Sequence, residues 1–153
     1  MCVAPLLPSN SSAILLLTTA YLQINRYIIP CFYRLLQEQN LQKQIEYTEE
    51  LKDGISKLVN ASHVHGPFFL GPSISFVDIQ FAPWMLRLSR VLKPYRAWPD
   101  PERGSRWAAW VEAVETNDQV IATTSTDELY LDSYQRYAGM LTCSSPLTVC
   151  GSD

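Results

Sequence analysis

One short stretch constrains this chain more than any other. Ser75-Phe76-Val77-Asp78 has the form of a helix capping box, with Asp where Glu is more usual. In such a box the serine side chain receives the backbone N–H three residues on, and the acid reaches back to the serine N–H. Ile74 and Ile79 flank it at the two staple positions. Asp78 also places a negative charge at the positive end of the helix dipole. Beyond the box come Phe76, Ile79, Phe81, Ala82, Trp84, Met85, Leu88 and Leu92, which cover nearly the whole helical circumference. A helix apolar all round has to be surrounded, so the chain is expected to build a bundle about this rod.

The flanking sequence supplies partners of the right kind. Ile14, Leu17, Tyr21, Ile24, Ile28, Cys31 and Leu35 fall at steps of three and four, the helical period, and Leu22, Ile29, Phe32 and Leu36 widen that stripe. Ser11 or Ser12 is the expected cap, and Pro30 is expected to bend the helix because it lacks an N–H and crowds the preceding turn. Leu41, Ile45, Thr48, Leu51, Ile55 and Leu58 form the inward stripe of a second helix, with Asp53 and Lys57 one turn apart on its outer face. The short link between the two makes them antiparallel. Residues 60–74 read as a Gly/Pro loop. A further helix is expected from about Pro101 to Glu115, with Trp107, Trp110, Val111 and Val114 inward. A short turn or helix follows over Asn117–Thr123, and a last helix, capped by Thr126, over Asp127–Tyr137. No segment alternates with period two. The fold expected is all-α, a bundle of five to six helices. It occupies 13–138, after an N-terminal loop over 1–12 and before a flexible tail over 139–153.

With 153 residues, 47% of them hydrophobic, one domain can bury a core without staples. A net charge of −3 argues against an electrostatic nucleic-acid partner, and no apolar run approaches membrane-spanning length. The four cysteines, Cys2, Cys31, Cys143 and Cys150, show neither a disulfide framework nor zinc spacing. A reducing, cytoplasmic setting is the default. The apolar stretch Ala13–Leu22 lacks the preceding basic residues and the following cleavage site of a signal peptide.

Few residues stand out as candidates for chemistry. Trp84 and Arg87, three apart, share a helix face. They form either a ligand-binding floor or a core tryptophan beside an arginine that pairs with a surface carboxylate. Tyr130, Tyr134 and Tyr137 share one face of the last helix, where packing explains them as well as a binding role does. Capping accounts for Ser75 and Asp78 without a catalytic role. His63 and His65 sit in a loop with no further ligands near, so no metal site is assigned. Cys31 reads as a small buried hydrophobe, and the basic run Arg87–Arg106 as a solvated face.

Taken together, several segments resemble a known family. Gly66-Pro67-Phe68-Phe69-Leu70-Gly71-Pro72-Ser73-Ile74-Ser75-Phe76-Val77-Asp78 is similar to the segment that caps the core helix in the C-terminal helical domain of glutathione transferases. Ala82-Pro83-Trp84-Met85-Leu86-Arg87-Leu88 resembles the omega class. Asn25-Arg26-Tyr27-Ile28-Ile29-Pro30, the Trp107-x-x-Trp110 helix and Thr123-Thr124-Ser125 before a tyrosine-rich helix resemble fungal omega-like members. The resemblance runs from about residue 22 to 138. It implies that Trp84 and Arg87 line the pocket for a hydrophobic substrate and that the helix of Tyr130, Tyr134 and Tyr137 caps it. It further implies glutathione as cofactor and glutathione-dependent transfer or reduction on an aromatic or hydrophobic electrophile, with a use in fungal secondary metabolism. The partners implied are a small hydrophobic substrate and either a second copy in a homodimer or a thioredoxin-like domain.

The sequence departs from that family in two ways. Complete members begin with a thioredoxin-like domain that binds glutathione and, in the omega class, supplies the catalytic cysteine. That pattern is missing here and Cys2 lacks its surroundings, so no catalytic residue is assigned. In addition, Met1–Asn25 carries no charged side chain. This start reads as the product of a truncated or mis-spliced gene, the alternative being a face packed on a partner. A non-catalytic binding or assembly module, or an inactive fragment, is the alternative to an enzyme.

Overall fold

A computed structural model of the chain describes residues 10–139. Ten helical segments join into six rods. In the first rod, α1 (Asn10–Gln23), a π-helical turn (Ile24–Ile28) and α2 (Ile29–Gln37) run without a break. The second is α3 (Leu41–Ala61). The central rod joins α4 (Phe76–Arg87), a second π turn (Leu88–Leu92) and α5 (Lys93–Arg96). The remaining three are α6 (Arg106–Glu115), α7 (Asp118–Thr123) and α8 (Asp127–Gln135). The described residues contain no strand, only an isolated bridge between Phe68 and Gly71. The chain is all-α, as its periodicity requires.

The two π turns have a common cause. Each is followed by a residue and then a proline, Ile29-Pro30 and Lys93-Pro94. In both, the residue before proline donates five positions back, Ile29 to Ile24 O and Lys93 to Leu88 O. Proline has no N–H to give and its ring crowds the carbonyl four back. One widened turn relieves that crowding while the rod continues. Pro30 therefore sits at the exit of a π turn rather than at a simple kink.

Boundaries and faces differ from expectation at several points. The first helix already includes Asn10–Ser12, placed in a loop by the sequence reading. First-turn N–H groups need no partner inside the helix, so polar residues are tolerated there. Ile14 and Leu15 are about two-thirds exposed because α1 overhangs the bundle before Ala20, Ile24 and Ile28 enter it. Leu41 and Ile45 likewise project from the first turns of α3, whose buried residues begin at Leu51. The helix expected from Pro101 starts only at Arg106, because the Ser105 side chain caps it by accepting the Ala108 N–H. The flexible tail expected over 139–153 lies, except for Gly139, outside the described residues.

One glycine is required by a close approach. A Cβ on Gly54 would come within 2.7 Å of the Tyr27 ring. α3 therefore lies flat against the first π turn, and Gln23 Nε2 also donates to Gly54 O there at 3.2 Å. The core then closes around Phe32, Leu35, Leu51, Leu58, Phe69, Phe81, Met85 and Trp110, all within 2% of full burial.

Candidate functional site

The capping box forms as read, with both of its bonds in place. It is also one part of a larger device. Asp78 is completely buried. Its Oδ2 accepts from the Ser75 N–H at 2.7 Å and from the Ser75 hydroxyl. Its Oδ1 accepts from the Phe69 N–H at 2.8 Å and from Trp110 Nε1 at 2.6 Å. One carboxylate thus joins the loop before α4, the start of α4 and the middle of α6. With both oxygens so engaged, Asp78 organises the fold.

α4 is less enclosed than its composition suggests. Val77, Phe81, Ala82 and Met85 are buried, but Phe76 and Ile79 stay more than half exposed. The Phe76 ring stacks with Tyr21 of α1 at 6.2 Å. One edge of the apolar rod therefore faces outward.

The sequence-derived candidates meet at the other end of α4. Arg87 lies over the rings of Trp84, Tyr130 and Tyr134, at 5.2, 5.4 and 5.7 Å from their centroids. Its Nε donates to the Tyr134 hydroxyl at 2.6 Å and its Nη1 to Pro83 O at 2.7 Å. The i, i+3 spacing of Trp84 and Arg87 and the i, i+4 spacing of Tyr130 and Tyr134 present matching faces of α4 and α8. Tyr137, expected on the same helical face, lies just past the end of α8. It is half exposed, with its ring 5.9 Å from Tyr134.

Residues of α2 that sequence reasoning passed over complete the cluster. Phe32 and Tyr33 meet the Trp84 ring edge-on at 5.5 and 5.9 Å. Burial and the neighbouring Tyr134 hydroxyl push the Tyr33 phenol up to about 12. In sequence Phe32 reads only as part of an apolar stripe and Tyr33 draws no reading, because their place beside Trp84 depends on how α2 crosses α4.

Two cavities open on this cluster. One, of about 460 Å³, lies between Ile79, Ala82 and Leu86 of α4 and Val120 and Thr124. The other, of about 400 Å³, lies between Tyr33, Ser133, Tyr134 and Tyr137. Arg87, Ser125 and Tyr130 border both. Several bonds hold α8 over them: Tyr95 donates to Leu131 O at 2.8 Å, Arg90 pairs with Asp127 at 3.2 Å, and Arg96 donates to Ala138 O at 3.0 Å. A third cavity of about 270 Å³ lies away from the cluster, between α3 and Trp98–Glu102.

Other titratable candidates have structural surroundings. Cys31 is fully buried, and burial first, with Glu50 adding, pushes its thiol up to about 11. A thiol held protonated is a poor nucleophile. His63 Nδ1 receives the N–H groups of His65 and Gly66, which ties its loop. Cys2, Cys143 and Cys150 lie outside the described residues.

Comparison with known proteins bears on this arrangement. Residues 41–113 match the family described as glutathione S-transferase, C-terminal domain. A crystal structure of glutathione transferase Omega 3C from Trametes versicolor superposes with a TM-score of 0.72 at 32% identity, over 88% of this chain and 56% of that one. The probable cytosolic glutathione S-transferase DHAR1 of Oryza sativa subsp. japonica is 27% identical over 108 residues, 71% of this chain and 50% of that protein. The chain thus spans about half the length of these relatives.

Proposed function

The chain carries a glutathione S-transferase C-terminal helical domain, and from that premise we propose that its aromatic cluster is the substrate wall of a glutathione-dependent transferase or reductase. The ligand is a flat hydrophobic or aromatic electrophile, seated in the cavities that Arg87, Ser125 and Tyr130 border. The observation that carries this reading is that Arg87 and Tyr130, from two helices, border two cavities each large enough for a small molecule, with the Trp84 and Tyr134 rings packed against the same arginine. The likeness to the omega transferase of Trametes versicolor supports an omega-like, fungal assignment, and the rings beside the cavities suit an aromatic metabolite as substrate.

In this reading the sulfur chemistry belongs to a thioredoxin-like domain, in the same protein or a partner, with glutathione as co-substrate. Two nearby groups of this chain do not fit that part. Cys31 is buried and held protonated, and the Tyr33 phenol is held protonated as well. The residues described here therefore bind and orient the acceptor. Arg87 fixes the floor, the tyrosines of α8 close over it, and apolar side chains exclude water. That same division of labour favours, as a second reading, a non-catalytic binding module in a cytoplasmic setting.

The first test is binding of a neutral aromatic probe, naphthamide, followed by quenching of tryptophan fluorescence. Saturable binding that Trp84→Leu and Tyr130→Leu each weaken is the expected result. Binding indifferent to both substitutions would sink the assignment of this wall. Calorimetry with glutathione on the chain alone is expected to show no micromolar association.

A further inference from the structure

We propose that the ligand of this wall is an aromatic acid, its ring in the larger cavity and its carboxylate on the free edge of Arg87. The proposal rests on the reading just given and narrows it to one class of substrate. It follows from comparing the four half-buried arginines of the described residues.

Arg96 engages all its nitrogens with main-chain carbonyls: Nε with Leu35, Nη1 with Tyr95, and Nη2 with Leu36 and Ala138. Arg106 does the same with His63, Pro67 and Phe68. Arg90 has a carboxylate, Asp127. Arg87 differs from all three. Its Nε and Nη1 are used, but among the described residues Nη2 makes no hydrogen bond, and no carboxylate lies within 4.0 Å of its guanidinium. Aromatic rings stand where water would otherwise solvate the cation.

A cation drawn out of water is costly unless an anion meets it. The planar guanidinium fork matches a carboxylate better than any other side chain does. Asp127 at the start of α8 is held by Arg90, so the three side chains Arg87, Arg90 and Asp127 together carry a positive charge. Beside Arg87 the larger cavity offers Ala82, Leu86, Val120 and the face of Tyr130. A mainly apolar cavity, with Gln119, Thr123, Thr124 and Ser125 also on its wall, bordered by a guanidinium with no carboxylate partner suits a flat ring that carries an acid. Glutathione also has carboxylates, so the test must separate the two sources.

Calorimetry on the whole chain compares naphthoate, its neutral isostere naphthamide, and naphthylmethylammonium. Naphthoate is expected to bind about tenfold or more tightly than naphthamide, the scale of one charge-assisted hydrogen-bonded contact, and the ammonium least tightly. Arg87→Met is expected to abolish the preference, so that naphthoate and naphthamide bind that variant alike, with an unchanged helical circular dichroism spectrum reporting an intact fold. Arg87→Lys, a point charge without the fork, is expected to fall between. Naphthamide binding as well as naphthoate in the unaltered chain would overturn the proposal but leave the aromatic wall standing. Failure of all three probes would sink the wall itself. Displacement of naphthoate by glutathione, dependent on Arg87, would reassign the anion and overturn the aromatic acid.

Discussion

Asp78 and Arg87 lie nine positions apart on the central rod, one near each end of α4, and the fold treats them in opposite ways. Asp78 is sealed inside with two donors on each oxygen. Arg87 is half-buried among rings, with one edge of its guanidinium unanswered. A buried charge whose partners are all internal acts on folding. A partly desolvated charge with bonding capacity left over has something to offer a ligand. The completeness of hydrogen bonding, more than burial or charge alone, separates the two regions.

The sharpest way to break this contrast is Asp78→Ala. It would orphan the Trp110 and Phe69 donors inside the core and remove the cap, at a cost of about 4 kcal/mol in urea unfolding. A loss below about 1 kcal/mol would mean that the hub is ornamental. Trp110→Phe tests one spoke. It keeps most of the ring's packing but withdraws a charge-assisted bond, for an expected loss of about 2 kcal/mol by the same measurement. Arg87→Met should cost about 1 kcal/mol or less, because its bonds lie near solvent and its rings remain packed. If it destabilised the chain as much as Asp78→Ala, the division between a folding charge and a binding charge would fail.

The smallest effect concerns the cradle at high pH. Tyr33 is raised from an ordinary 10.0 to about 12, by burial first and by Tyr134 second. A raised phenol favours the folded state while protonated. Its contribution is full below pH 10 and is lost as pH rises through about 12. Ultraviolet titration should therefore show Tyr33 titrating late, beside Tyr95, whose phenol burial also raises, and Tyr134→Phe should bring the Tyr33 step earlier. An unchanged titration would remove Tyr134 as a cause.

Much of this arrangement was legible in local spacing. The capping box, the cap at Thr126, and the pairing of Asp53 with Lys57 at 2.7 Å all depend on residues within one helical turn. So does the juxtaposition of Trp84 with Arg87. The indole of Trp110 on Asp78 was not legible, because 32 residues separate them and nothing local aims one at the other. Tyr33 was missed beside Trp84 for the same reason. Periodicity also overstated burial at Ile14, Leu41, Phe76 and Ile79. An apolar stripe shows which side of a helix favours contact, but not how far along the helix a neighbour reaches.

The order of residues by itself determined an all-helical chain and which side chains share a face, since these follow from bonds spanning three or four positions. Tertiary structure alone decided which faces meet. It brought α8 over α4, gave Asp78 its distant donors and left Arg87 with an open edge. Such contacts join residues far apart in sequence, and only the packed geometry of several rods at once selects them.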